Sequence, residues 1–370
     1  MWTPLDDPDK PPFPYVIGFT TQIHRHSPPP PFGAPNYGPD LRPWLSPQYM
    51  KSVPQSELVV DNPPLGTPPS QAETAQLTVN TPISVGSASG AQVVTCSVEP
   101  HRETASEPFK AVAKIYDALY YRFSESLAHE PRDVVTQADK DYSIEAAAYE
   151  YLQETGQAGS FAPAYHGSWT LDLPITSRGK TQTRPVRLIF IEHLEGTSIR
   201  GSLIQNGPRG AGKDAFHYPE EYRLEILALA MDDYVRQLHS GIDQLDFAGR
   251  NAMLTSRVAS AEPACQSDTV VAGLPLPRVV LIDYNVAIVY SLTRRGRSPH
   301  MDWPRPCNPM LYFWDEPMND FGGWVPHKWH DNPRFMQEWL QNRFSIEEKQ
   351  NLYALVEEEL VITDYDEPEN

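Results

Sequence analysis

The chain has 370 residues, a formal net charge of −18, 40% hydrophobic residues and 11% aromatic residues. That apolar content builds a real core, and the length left after a proline-rich start fits about one two-lobed domain. The negative balance argues against nonspecific attraction to nucleic acid or anionic lipid, so neither nucleic acid nor membrane is expected as a partner.

The first 15 residues carry early acids and no apolar stretch, which is not the pattern of a secretory signal. No apolar run is long enough to span a bilayer. The expectation is a soluble intracellular protein, cytoplasmic or nuclear. Residues 1–70 hold 18 of the 38 prolines. Proline lacks a backbone donor and fixes φ, so residues 1–75 read as a disordered or extended arm. Aromatic patches at Phe13-Pro-Tyr15 and Pro43-Trp-Leu45 interrupt it. They suggest an arm that lies across a folded domain through Trp44 or Tyr49, or one that takes a protein partner.

Order is expected from residue 76. Gln76-Leu-Thr-Val-Asn-Thr and Ala91-Gln-Val-Val-Thr-Cys-Ser-Val predict two strands joined through Gly86-Ser-Ala-Ser-Gly90. Phe109-Lys-Ala-Val-Ala-Lys114-Ile-Tyr predicts a third. Residues 142–154 repeat Ile144, Ala148 and Tyr151 at helical spacing. Val186-Arg-Leu-Ile-Phe-Ile191 reads as a buried strand. Residues 221–239 predict a long helix whose stripe is Leu224, Leu227, Ala228, Met231, Val235 and Leu238. Ala252-Met-Leu and Arg278-Val-Val-Leu-Ile282 are short strands around a loop over 255–277. A last helix falls at 334–344, where Phe335 and Trp339, and Met336 and Leu340, pair at i, i+4. Strands thus dominate the first ordered half and helices the second. This suggests one lobe over 76–192, a second over 193–350 with a cleft near 192–196, and an acidic tail over 351–370. Cys96, Cys265 and Cys307 form no C-x-x-C pair, so neither a zinc site nor a disulfide framework is expected.

Phosphoryl transfer asks a protein for a cation on the phosphates, held metal ions and a placed acceptor. Lys114 sits inside an apolar strand, where alternation puts Val112, Lys114 and Tyr116 on one face. A buried unpaired charge is costly, and Glu145 on the following helix is the candidate partner. Residues 238–254 run from a helix end through Asp246-Phe-Ala-Gly-Arg-Asn251 into a short strand. Asp246 there can accept a hydroxyl proton and Asn251 can ligate Mg²⁺. Asp283 follows Val279-Val-Leu-Ile directly, where a metal-binding carboxylate belongs. Glu192 and Leu194 are candidates for pairing an adenine edge. Val93, Ala113 and Leu254 are candidates for its apolar walls. Each of these positions, taken singly, also has an ordinary structural explanation.

Together these residues resemble the protein-kinase-like superfamily, which includes small-molecule kinases of the aminoglycoside and choline type. Ala-Val-Ala-Lys114 resembles V-A-I-K. Glu145 resembles the glutamate of the lobe-bridging helix. Asp246 and Asn251 match D-x-x-x-x-N, and Asp283-Tyr-Asn stands where D-F-G would. The chain is also similar to poorly described kinase-like proteins of filamentous fungi through Leu238-His239, Gly249-Arg-Asn251, Asn308-Pro-Met310, Gly323-Trp-Val-Pro326 and Trp339-Leu340.

The resemblance implies an α+β, two-lobed protein-kinase-like fold, with an antiparallel N-terminal sheet carrying one helix and a mostly helical C-terminal lobe. It implies ATP and Mg²⁺ as cofactors and an unspecified hydroxyl as phosphoacceptor. Lys114 would touch the α/β-phosphates, Glu145 would fix Lys114, Asp246 would be the base, and Asn251 and Asp283 would hold Mg²⁺. Gly86 and Gly90 would belong to the phosphate loop. The chain departs from the pattern in Gln244 and Leu245, which replace His and Arg, and in an eroded glycine loop. Those departures keep open a pseudokinase that acts as a binding module or scaffold.

Overall fold

A computed structural model of the chain describes residues 2–66, 73–87, 90–101, 107–124, 130–205, 212–256, 269–345, 351–357 and 359–363. The chain forms two compact units: residues 1–154, 164–193 and 292–294, and residues 155–163, 194–291 and 295–370.

The first unit is built on strands β1 (Thr20–Arg25), β2 (Thr74–Ser84), β3 (Gln92–Pro100), β4 (Phe109–Tyr116), β5 (Tyr165–Ser177) and β6 (Lys180–Glu192). They close into an antiparallel barrel in the order β1-β2-β3-β4-β6-β5. Closure depends on β1, which pairs with β2 through Thr20↔Thr78 to His24↔Thr74 and with β5 through Ile23↔Leu171 to Arg25↔Trp169. Alternation sets the interior. Val94, Cys96 and Val98 of β3 and Ala111, Ala113 and Ile115 of β4 are all fully buried, each on the inward side of its strand. Burying such aliphatic side chains stabilises a fold by about 1.5–3 kcal/mol each. Gly167 makes the bulge that curves β5, at φ +94°, and a Cβ there would lie 2.0 Å from Arg25 Nη1. Three helices belong to this unit: α1 (Pro47–Ser52), α2 (Gln55–Asp61) and α3 (Val134–Glu154).

The second unit carries β7 (Gly196–Ser198), β8 (Ile204–Gln205), β9 (Lys213–Asp214), α4 (Glu220–Ser240), β10 (Ile242–Asp243), β11 (Ala252–Thr255), β12 (Val270–Val271), β13 (Leu274–Pro275), β14 (Arg278–Leu281), β15 (Ile288–Val289), α5 (Pro309–Tyr312), α6 (Lys328–Asp331) and α7 (Arg334–Phe344). Helix α4 follows the spacing of its apolar residues, and the whole predicted stripe from Leu224 to Leu238 is buried. Glu220 and Glu221 open it, favouring the positive end of the helix dipole. Gly241 at φ 110° ends it by donating its N–H to Gln237 and Leu238 carbonyls. Strands β14, β11 and β7 form a three-stranded sheet, and β10 pairs with β15.

This architecture overturns the expected two-lobed kinase-like α+β fold. The N-terminal sheet is not open, because β1 meets both of its free edges and closes it. The C-terminal half is not mostly helical: helix makes up only 28% of the described residues. The second unit spends its backbone on nine short strands among the described residues and on helices α5 and α6 of four residues each.

Residues 1–75 also differ from an extended arm. They supply β1, α1 and α2, with Tyr15, Phe32 and Leu58 fully buried. Two of their prolines sit where a missing N–H does no harm, Pro47 at the first position of α1 and Pro54 at the N-cap of α2. Trp44 is no anchor, being 51% exposed. The predicted loop over 255–277 contains the β12–β13 hairpin, and its residues 257–268 lie outside the described residues. Among the described residues no helix is long and apolar enough to cross a membrane.

Candidate functional site

In the first unit the chemistry gathers where β4 meets α3. Lys114 and Tyr116 share the outward face of β4, as alternation requires. Lys114 is 8% exposed and Glu145 fully buried. Lys114 Nζ donates to Glu145 Oε1 at 2.5 Å, and the Tyr116 hydroxyl donates to Glu145 Oε2 at 2.7 Å. Both oxygens of the carboxylate therefore have a donor, which offsets the cost of burying the pair. Burial, and then the Glu145 charge, push the Tyr116 hydroxyl well above its ordinary pKa.

One turn before Glu145, Asp141 accepts from Gln137 Nε2 at 2.5 Å and from the Tyr121 hydroxyl at 3.3 Å. Burial, with the neighbouring Glu145 charge, pushes its carboxyl up to about 7. Gly90 lies beside Tyr121 and Asp141. Gly86, at φ +103°, donates its N–H to Gln92 Oε1 at 2.6 Å, and Gln92 Nε2 donates to the Gly90 carbonyl at 3.1 Å. The two glycines are thus braced by Gln92, a residue the sequence reading passed over.

The candidate nucleotide walls are only partly assembled here. Val93 pairs with Lys114 across the sheet and shares its face. Ala113 does not: it pairs with Val94 and points into the barrel. Val112, on the Lys114 face by the same alternation, is the apolar neighbour in its place. Glu192 pairs with Ala111 at the end of β6. Its N–H donates to the Ala164 carbonyl and its Oε2 accepts from Ala164 N at 3.0 Å, so these groups serve the β5–β6 end.

In the second unit the loop after α4 gathers the acids. Gln244 Nε2 donates to the Ile282 carbonyl at 2.5 Å, and Ile282 N donates to the Asn251 carbonyl at 2.9 Å. The second bond extends the β11–β14 ladder by one pair, setting Asn251 opposite Ile282 with Asp283 next in the chain, and the Gln244 side chain ties the loop to the same residue. Asp246 Oδ2 accepts from Asn251 Nδ2 at 2.7 Å, and Oδ1 accepts from the Arg250 guanidinium. Arg250 also holds Asp320 at 3.1 Å. Leu245 and Asp283 have left-handed backbones, at φ 61° and 68°. Such strain in a non-glycine residue is retained where the surroundings enforce it, often at functional sites. Leu254 is half-buried at the centre of the three-stranded sheet, between Thr197 and Val279. Leu194 is half-buried before β7.

The donor chemistry of the loop could accept a magnesium ion. Asn251 spends its amide N–H₂ on the Asp246 carboxylate and carbonyl, which leaves Oδ1 as the atom that could meet a metal. Asp283 would supply a second hard oxygen. Magnesium commonly takes one or two protein oxygens and completes its shell with water and phosphate. Among the described residues no group of three or more His, Cys, Asp or Glu is placed to hold a metal. No family model matches the chain, and no curated protein matches it.

The sequence puts Tyr116 on the Lys114 face without giving it a role, and it gives none to Asp141, Gln92 or Arg250. Two of them were within reach of spacing rules: Tyr116 lies two along the strand from Lys114, and Asp141 lies four before Glu145 on α3. Arg250 lies in a turn, where no helical spacing applies. Gln92 reaches the glycines only through the hairpin.

Proposed function

We propose that the chain is an ATP- and Mg²⁺-dependent phosphotransferase of protein-kinase-like chemistry, acting on a hydroxyl acceptor inside the cell. The observation that supports this best is the buried Lys114–Glu145 pair with Tyr116 on the second carboxylate oxygen. A lysine held in this way is a fixed cation for phosphate oxygens. Magnesium would neutralise the phosphate charge, held by Asn251 Oδ1 and Asp283. Asp246 would take the proton of the acceptor hydroxyl as that oxygen bonds to the γ-phosphorus, while the bridging oxygen leaves with ADP.

A second reading, nucleotide binding without transfer, draws on Arg250, whose guanidinium occupies Asp246 Oδ1, an oxygen that a base would turn to the acceptor hydroxyl. Thermal melting of the wild type, Lys114→Met and Asp283→Ala, with and without ATP and Mg²⁺, tests the common part. A nucleotide at about 100 times its dissociation constant adds about 2.7 kcal/mol, a shift of a few degrees. A magnesium-dependent shift lost in both variants is expected, and no shift at millimolar nucleotide ends both readings. Turnover of γ-labelled ATP then separates transfer from binding alone.

A further inference from the structure

Helix α3 is not apolar all round, yet from Asp141 to Tyr149 every residue of it is buried. Asp139, Asp141, Ser143 and Glu145 are all buried. A helix with one wet face keeps such residues outward, so something covers the face turned away from β4. That cover is the segment preceding β2. Leu45 N donates to Asp133 Oδ2 at 2.8 Å, and Asp133 also caps the helix by accepting Thr136 N at 3.0 Å. Arg42 Nη1 donates to Asp139 Oδ2 at 2.6 Å while its Nη2 donates to the Pro63 carbonyl at 3.0 Å. Leu65 N reaches the same carboxylate at 3.1 Å. His26 Nδ1 and the Tyr142 hydroxyl share a hydrogen bond of 2.7 Å. Gly33 lies so close to the Lys140 side chain that a Cβ there would stand 2.8 Å from Cε.

We infer that residues 26–65 form a positioning strap that clamps α3 against β4 and sets the rotation at which Glu145 meets Lys114, with Arg42 as its principal positioning residue. The inference rests on the reading of Lys114 as the phosphate-binding cation. Its logic is mechanical. The contacts to Asp133 and Asp139 hold the first two turns of the helix through the strap, while Tyr142, whose ring lies 5.5 Å from that of Tyr116, and Glu145 hold the next turn against β4. A helix held at both faces cannot rotate. Arg42 is planar and bidentate, so it ties Asp139 to the Pro63 carbonyl of the strap in one fixed geometry.

The test uses the full chain with Arg42→Ala and Arg42→Lys. Hydrogen exchange of the α3 amides is read beside that of β3 and β4, and ATP·Mg²⁺ affinity is measured by calorimetry. In Arg42→Ala the α3 amides exchange faster while β3 and β4 keep their protection, and nucleotide affinity falls about tenfold. Arg42→Lys keeps the charge without the fork, so it lies between the two in both readouts and serves where the alanine variant does not fold. Unchanged α3 exchange in the folded variants overturns the strap. Faster exchange with undiminished affinity overturns its service to Lys114. A wild type that binds no nucleotide sinks the proposed function instead, and the exchange data then decide the strap alone.

Discussion

Glu145 serves two donors at once, and its loss would leave the Lys114 charge in a space from which water is excluded. Removing one partner of a buried pair typically costs about 3–5 kcal/mol. Glu145→Gln is therefore expected to lower the melting midpoint by several degrees. Lys114→Met combined with Glu145→Gln should recover most of that loss, because no orphan charge remains. Equal destabilisation in the single and double variants would contradict this account. Asp141 makes the opposite contribution. Its folded carboxyl titrates at about 7, above the ordinary aspartate value of about 3.9, so the folded state holds a proton the unfolded state has released. The stability this contributes is complete below the lower value and is lost as pH rises to the upper one. The slope is at most about 1.4 kcal/mol per pH unit for one proton. Denaturant titrations of wild type and Asp141→Asn over that window should differ by a wild-type curve that falls faster with pH.

At the level of elements, tight approaches decide what a strand tolerates. Gly196 of β7 lies so near β11 that a Cβ would stand 2.0 Å from the Leu254 carbonyl oxygen. Gly196→Ala should push β7 off its neighbour at a cost of about 1–3 kcal/mol, seen as faster exchange at the Leu254 amide, which faces β7, while the Met253 amide, which faces β14, keeps its protection. Legibility in the sequence divides along the same line. Elements with a strong period were readable: β4, the Leu224 to Leu238 stripe of α4, and α7 at 334–344 all stand where periodicity put them. Lys114 and Glu145 were legible as partners because a lysine in an apolar strand demands a carboxylate. The element β5 went unread because its alternation starts beyond the bulge at Gly167. The first eight residues of α3 carry Thr, Asp and Lys on faces that another part of the chain covers, so no amphipathic pattern survives there. Helices α1 and α2 hide behind their own prolines, and β1 carries Thr, Gln, His and Arg, whose place in a sheet is set by partners far away in sequence.

The whole first unit depends on that distant strand. Without β1, strands β2 and β5 would each present an unpaired edge, the usual template for association between chains. Deleting the first 26 residues should therefore make the chain associate more than the full chain does, as read by light scattering and size exclusion. A soluble monomer that keeps the β3–β4 amide protection would show that the barrel does not need its closing strand.

Closure also has a history in time. Thr20 and Tyr165, the first residues of β1 and β5, are separated by 145 positions. At a synthesis rate of about 5–20 residues per second, β1 waits roughly 7–30 s for its second partner to be made. During that interval Ile23 and its neighbours are exposed to the cell. Contacts this far apart also slow folding in general. The nascent chain is thus a natural client for a holding chaperone until β5 emerges. Ribosome-bound chains truncated just before residue 165 should be captured by such a chaperone, and chains extended past residue 192 should be released.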